Sequence, residues 1–282
     1  MHLRAATPED AQAATDLYIA GDVEEVGEVD YSLGDLRDEW GELDLARDTL
    51  IVTDDHGAIV GCAHFRGDYL FGQVDPRRRG EGVGTAILEW AHTRARERGA
   101  RRIRQGVGDR GHAGRALLEA NGYERARSYW RMVRSTATGE PPDETGLRAV
   151  TPDDADTLYD IHEAAFSRNP DYEPKTRAAW IATSFNGHDV DHARSRTAPG
   201  RGFALARDWE DDTLYIPLLA VHPEHQGQGL GARLLQAVFA AAEGRTVTLN
   251  VASDNPNAVK LYARVGMRQS WRVDDYQKAL PD

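Results

Sequence analysis

Apolar and polar positions along the chain follow two periods. Leu214 to Val221 is an apolar run of strand length. Leu230 to Glu243 then places Leu234, Leu235, Val238 and Phe239 on one helical face. Between them lies the glycine-rich stretch His222-Pro223-Glu224-His225-Gln226-Gly227-Gln228-Gly229, so the unit reads strand, turn, helix. The same order occurs earlier: Tyr69 to Val74 as a strand, a turn over residues 75–82, and a helix from Val83 to Arg98 with Ile87, Leu88 and Ala91 on one face. Around this earlier unit the pattern predicts a short strand at Leu3 to Ala5, a helix from Thr7 or Pro8 carrying Ala13, Leu17 and Ile19, and a helical stretch from Leu33 to Trp40. Thr49 to Thr53 and Ala58 to Arg66 read as strands about the turn Asp54-Asp55-His56-Gly57. Arg101 to Val107 is a strand, Gly114 to Asn121 a helix, and Ser128 to Val133 a last strand.

The second half repeats the first. Leu3-Arg4-Ala5-Ala6-Thr7-Pro8 returns as Leu147-Arg148-Ala149-Val150-Thr151-Pro152, an offset of 147 − 3 = 144. Val74 to Gly84 returns as Val221 to Gly231, offset 221 − 74 = 147, and Gly122 returns as Gly266, offset 266 − 122 = 144. Three landmarks at nearly one offset mean a tandem duplication of a domain-sized unit. The expected division is 1–134, a polar Pro/Gly linker over 135–145, and 146–282, with a loop-rich insertion from Phe185 to Arg201 in the second copy. Strands and helices in this order, with a βαβ unit at each turn, predict an α/β (α+β) fold: two tandem domains, each a mixed sheet flanked by helices.

Composition adds exclusions. A hydrophobic fraction of 40% and a charged fraction of 28% suit a globular protein, and no apolar run is long enough for a membrane span. The residues after Met1 carry no apolar leader, and the one cysteine, Cys62, lies in a strand-like apolar segment where a buried thiol is expected. The expected location is the cytoplasm. A formal net charge of −12 disfavours nucleic acid and anionic membranes as partners and favours a cationic small molecule. His188, Asp189, Asp191 and His192 lack a third fixed ligand group, so no metal is expected.

A glycine-rich turn opening a helix offers free N–H groups and the positive end of a dipole to a phosphate. The turn lacks a Gly-Lys-Ser/Thr ending and the Gly-x-Gly-x-x-Gly spacing of dinucleotide folds. Instead, Gln226-Gly227-Gln228-Gly229-Leu230-Gly231 after a strand resembles the acyl-CoA signature Gln/Arg-x-x-Gly-x-Gly/Ala of the GNAT superfamily of N-acetyltransferases. The order of elements is that of the GNAT fold, and the tandem arrangement is similar to mycothiol synthase and other two-domain acetyltransferases. The resemblance implies acetyl-CoA as co-substrate, held by Gln226, Gly227, Gln228, Gly229, Leu230 and Gly231, with the strand backbone of Leu219, Ala220 and Val221 polarising the thioester. Asn255-x-x-Ala258-x-x-x-Tyr262 resembles a second GNAT segment, which implies Asn255 and Ala258 beside the pantetheine arm and Tyr262 as general acid for the departing thiolate. On spacing alone, a helix tyrosine packing its ring on the core is the competing role for Tyr262.

The first copy keeps the turn, Arg79-Gly80-Glu81-Gly82-Val83-Gly84, so Arg79, Gly80, Gly82 and Gly84 are the corresponding cofactor contacts, with Arg77 and Arg78 adding charge. Aligned on Gly122, it places Gly111, Gly114 and Leu118 where the second copy has Asn255, Ala258 and Tyr262. Leucine cannot donate a proton. This copy therefore either binds acyl-CoA without turning it over or serves as scaffold, and 146–282 is the expected catalytic domain. For the base, the place to look is Tyr215, with Glu210, Asp211 and Asp212 before it. The expected activity is transfer of acetyl from acetyl-CoA to a primary amine of a small molecule (an amino sugar, antibiotic or amino-acid derivative), by a monomer or homodimer. The rivals are a non-catalytic acyl-CoA sensor and a peptide N-acetyltransferase.

Overall fold

A computed structural model of the chain describes residues 1–29, 31–135, 143–169, 172, 174–209 and 212–281. The first copy contains β1 (His2–Arg4), α1 (Ala11–Glu25), α2 (Leu33–Gly41), α3 (Leu45–Asp48), β2 (Thr49–Thr53), β3 (Ile59–Arg66), β4 (Tyr69–Val74), α4 (Val83–Glu97), β5 (Arg102–Gly108), α5 (His112–Ala120) and β6 (Glu124–Ser135). The second contains β7 (Arg148–Ala149), α6 (Ala155–Phe166), α7 (Arg177–Trp180) running into a π-helical turn (Ile181–Phe185), β8 (Arg196–Ala198), β9 (Gly202–Trp209), β10 (Thr213–Val221), α8 (Leu230–Ala241), β11 (Thr246–Ala252), α9 (Pro256–Arg264) and β12 (Arg268–Ala279). The stretch expected to be an insertion holds β8, which pairs antiparallel with β9 through Thr197 and Phe203.

The chain forms two compact units: unit 1 is Met1–Tyr129 together with the residues from Trp271 onward, and unit 2 is Trp130–Ser270. These bounds differ from the linear division at 134 and 146. The cause is strand pairing. β12 runs antiparallel to β5 from Val273 opposite Gly108 to Ala279 opposite Arg102. Arg104 donates to Asp275 at 2.8 Å, and the Ser128 hydroxyl to Asp274 at 2.6 Å. In unit 2, the Thr248 hydroxyl donates to the Met132 carbonyl at 3.1 Å and Arg134 to the Val265 carbonyl at 2.7 Å. Each unit thus takes its last strand from the other copy. Residues 136–142 of the expected linker lie outside the described residues.

In unit 1 the sheet order is β1-β2-β3-β4-β5-β12, antiparallel except for β4 with β5. Ile87, Leu88, Ala91 and Ala95 of α4 pack one face against Val52, Phe65 and Leu70; Ala14, Leu17, Leu36 and Trp40 of α1 and α2 cover the other against Ile51 and Cys62. The Cys62 thiol is buried, which pushes its pKa up to about 12 and keeps it protonated. In unit 2, β7-β8-β9-β10-β11 lie in order. Leu234, Leu235, Val238 and Phe239 of α8, the four positions of the apolar stripe, are all buried. Each contributes about 1.5–3 kcal/mol by leaving water. Leu158 and Ile161 of α6, with Trp180 and Phe185, cover the opposite face over Phe203, Leu205 and Ala220.

Candidate functional site

Each unit has two parallel strands that begin paired and then part. β10 pairs with β11 from Thr213 opposite Thr246 to Tyr215 opposite Thr248, and β4 pairs with β5 at Tyr69 opposite Arg104. Beyond these pairs only the antiparallel neighbours continue: Leu219, Ala220 and Val221 stay opposite Ala204, Phe203 and Gly202 of β9. The register of β10 on β9 shifts between Tyr215 and Leu218, which brackets Pro217. A proline has no N–H for the ladder, so the irregularity falls where the chain can best tolerate it.

The glycine-rich turns follow β4 and β10. Gly80, Gly82, Gly227 and Gly229 have φ of 80°, 86°, 74° and 79°, the left-handed region that favours glycine, and a Cβ on any of them would meet nothing within 4 Å. The space before the first turns of α4 and α8 is therefore open to a ligand, and Gly82 and Gly229 are the N-caps of those helices. Gln226 Nε2 donates to the Val221 carbonyl at 3.0 Å and Gln228 Nε2 to the Glu224 carbonyl at 3.4 Å, so both hold the turn in shape. Leu230 is buried. The third glycine of each signature also has a packing task. A Cβ at Gly231 would lie 3.3 Å from Leu261 Cδ2, and at Gly84 2.7 Å from Leu117 Cδ2. These glycines let α8 and α9, and α4 and α5, approach each other.

The side chain of Asn255 caps α9, accepting from the Ala258 N–H at 3.1 Å. Gly111 stands at the same capping position of α5. The alignment of Leu118 with Tyr262 has a geometric counterpart: Tyr123 N–H donates to the Leu118 carbonyl at 3.0 Å, and Met267 N–H to the Tyr262 carbonyl at 2.9 Å. Tyr262 is buried among the unit 2 core residues. Burial, with Tyr215 adding to it, pushes its phenol up to about 12, so it carries its proton throughout the neutral range. Tyr215 lies on Trp209 with ring centroids 4.3 Å apart. The buried guanidinium of Arg131 sits 5.0 Å from the Trp209 ring and 5.4 Å from the Tyr215 ring, and Arg131 donates to the Thr248 hydroxyl at 3.4 Å. Sequence reasoning missed Arg131, because the strand carrying it belongs in sequence to the first copy.

In unit 1 a cavity of about 420 Å³ lies between β4, β5, α4 and α5, and Arg79, Gly80, Gly82, Gly84, Gly114 and Leu118 all line it. Glu25 lines it too. Its carboxylate accepts from the Gly108 N–H at 3.1 Å and from Arg79 at 3.2 Å, and burial pushes its pKa up. The three arginines expected to add positive charge are each bound to carboxylates: Arg77 to Asp75, Arg78 to Asp54 and Glu81, Arg79 to Glu24 and Glu25.

Of the acids before Tyr215, Glu210 and Asp211 lie outside the described residues, and Asp212 faces Arg245 at 3.5 Å. In the second copy's loop, His192 Nε2 meets the Phe185 carbonyl at 2.9 Å, Asp191 pairs with Arg194 at 2.7 Å, and Asp189 faces Arg207 at 3.6 Å. Among the described residues no three His, Cys, Asp or Glu side chains are grouped to hold a metal ion, and no helix is long and apolar enough to cross a membrane.

Comparison with known proteins agrees with this geometry. The model of the acetyltransferase (GNAT) family matches residues 156–267, and that of an acetyltransferase (GNAT) domain matches residues 46–125. The mycothiol acetyltransferase of Clavibacter michiganensis subsp. michiganensis is 31% identical over 240 residues, covering 73% of this chain and 71% of that protein. Among solved structures, a GCN5-related N-acetyltransferase from Sphaerobacter thermophilus superposes with a TM-score of 0.80 at 25% identity over 99% of this chain and 95% of that one. A tandem GNAT protein from the clavulanic acid biosynthesis pathway has the same fold, with a TM-score of 0.71 at 17% identity, covering 100% of this chain and 99% of that one. The family uses acetyl-CoA, and the open cradle at Gly227 and Gly229 fits a phosphate-bearing ligand. The chain is an acyltransferase and belongs to the GNAT acetyltransferase family, with two such domains in tandem.

Proposed function

We propose that unit 2 transfers acetyl from acetyl-CoA to the primary amine of a small, positively charged molecule. The observation that carries this is Tyr262: a phenol that keeps its proton at neutral pH, in the same unit as an open glycine turn and beside Tyr215, where β10 parts from β11. Gly227, Gly229 and the first turn of α8 would hold the diphosphate, and Asn255 and Ala258 would lie along the pantetheine arm. Backbone N–H groups within Leu219 to Val221 would polarise the thioester carbonyl. A neutral amine attacks that carbon; the C–N bond forms, the C–S bond breaks, and Tyr262 gives its proton to the thiolate. The amine nitrogen gives up its extra proton to water, and water returns a proton to the Tyr262 phenolate. No covalent enzyme intermediate is needed. The net charge of −12 draws a cationic amine toward the protein. Relatives named mycothiol acetyltransferase favour a small molecule over a peptide as acceptor.

Tyr262→Phe keeps the ring and removes the acid. The expected result is a fall in kcat of about 100-fold, in the range typical of general-acid loss, with KM for acetyl-CoA little changed. An unaltered kcat in steady-state assays would take Tyr262 out of the mechanism and leave acyl-CoA binding without turnover as the better reading.

A further inference from the structure

The two glycine turns sit in different electrostatic settings. In unit 1, Arg79 donates to Glu24 and Glu25, which end α1, and Glu25 also accepts from Gly108 N–H. The carboxylate of Glu25 lies 2.8 Å from where a Cβ on Gly111 would stand. It thus fills the space that a side chain at the α5 cap would occupy, as Asn255 does at the α9 cap. Counting every ion pair of the turn, Arg77, Arg78 and Arg79 face Asp54, Asp75, Glu81, Glu24 and Glu25, a formal charge of 3 − 5 = −2. By the repeat offsets of 144 and 147, the second copy has Arg168 and Asn169 in place of Glu24 and Glu25, and Gln226 in place of Arg79. It cannot form this bridge. A second feature of the unit 1 cavity points to a ligand. Gln105 donates through Nε2 to the Gly72 carbonyl at 3.2 Å across the parted strands, while its buried Oε1 has no hydrogen-bond partner. Gln73 and Thr85 also line the cavity, and much of the remaining wall is apolar, including Val74, Ile87, Val107 and Leu118.

We propose that the unit 1 cleft binds a small, partly apolar ligand that presents N–H donors and carries no phosphate. Glu25 and Gln105 are its acceptors, and the Glu24–Arg79–Glu25 bridge turns the diphosphate away. An anion at this turn must displace two carboxylates from Arg79 and stay near them, whereas an amide or amine N–H meets two acceptors already in place. The comparison between units rests on reading residues 226–231 as the diphosphate turn; the ligand class at unit 1 does not.

Calorimetric titrations of the full chain with S-acetyl-pantetheine, which is uncharged, and acetyl-CoA, the same arm with its phosphates, separate the two. Gly114→Leu marks unit 1, since position 114 lines the cavity and its Cβ has only ordinary contacts, 3.6 Å to Val107. Gly229→Glu marks unit 2. The expected result is S-acetyl-pantetheine binding that Gly114→Leu removes and Gly229→Glu spares, at least as tight as acetyl-CoA at that site. In Glu24→Gln/Glu25→Gln, acetyl-CoA should gain about tenfold or more over S-acetyl-pantetheine at unit 1. The proposal is overturned if unit 1 prefers acetyl-CoA tenfold in the wild type, if the double variant leaves the ratio unmoved, or if S-acetyl-pantetheine does not bind there. Failure of acetyl-CoA at unit 2 would instead count against the reading of the catalytic site.

Discussion

Asp10 and Asp154, 144 residues apart, make the same contacts. Asp10 accepts from Arg4 at 2.6 and 2.7 Å and from the Thr7 N–H at 2.8 Å; Asp154 accepts from Arg148 at 2.7 and 2.6 Å and from the Thr151 N–H at 2.8 Å. The arginine holds each carboxyl at about 2, below the ~3.9 of an unfolded aspartate. A lowered folded-state pKa stabilises fully above the unfolded value, and this contribution is lost as pH falls from about 4 to about 2. Each carboxylate contributes about 2 kcal/mol near neutrality. Arg4→Met and Arg148→Met are therefore expected to lower the urea midpoint at pH 7, with the deficit against wild type shrinking as pH approaches 2. A deficit that persists undiminished in acid would assign the loss to packing. At this scale the sequence was legible where a role is local: the paired Thr-Pro starts follow from spacing within four residues. It was not legible where the partner is remote. Glu25 meets Gly108 across 83 residues, and Gly231 owes its lack of a Cβ to Leu261, on another helix.

Among the elements, β9 and β10 leave little room where they meet. A Cβ on Gly202 would stand 2.9 Å from the Ala220 carbonyl oxygen, with Leu230 and Leu234 methyls at 3.3 Å. The first neighbour is backbone and cannot rotate away. Gly202→Ala should cost about 1–3 kcal/mol in chemical denaturation, the usual range for overpacking. It should also lower kcat, because Ala220 lies in the segment proposed to polarise the thioester. The same change at Gly41, at the end of α2 with nothing within 4 Å of its Cβ, should be neutral or stabilise by up to ~1 kcal/mol through helix propensity. Equal losses at the two sites would show that the close approach to Ala220 does not set the cost. Strands and helices with strong periodicity, such as α8, matched their expected spans closely. β8 was hidden because three residues give too short a pattern to separate strand from loop, and β6 runs past its apolar centre into polar residues such as Ser128 and Arg134, whose partners, Asp274 and the Val265 carbonyl, are remote in sequence.

For the whole molecule, the duplication is visible in sequence, but the exchange of last strands is not, since both copies carry equivalent strands and either partner satisfies the same pattern. The structure decides it through specific pairs: Asp275 with Arg104, Trp271 Nε1 with Glu28 at 3.1 Å, and the Tyr276 hydroxyl with Glu119 at 3.0 Å. Unit 1 therefore needs residues that begin 142 positions beyond the end of its first segment (271 − 129). A fragment of residues 1–134 contains the complete first copy, yet it leaves β5 with an unpaired edge and its Arg104 without the Asp275 carboxylate. Such an edge favours pairing with other chains. The fragment is expected to lack a cooperative urea transition and to associate, as read by circular dichroism and sedimentation. Addition of a peptide spanning residues 268–282 should restore the transition, and Asp275→Lys in that peptide should weaken the rescue by placing two cations together. A fragment of residues 1–134 that unfolds cooperatively as a monomer without the peptide would mean that each copy can supply its own last strand and that the exchanged pairing is not required for folding.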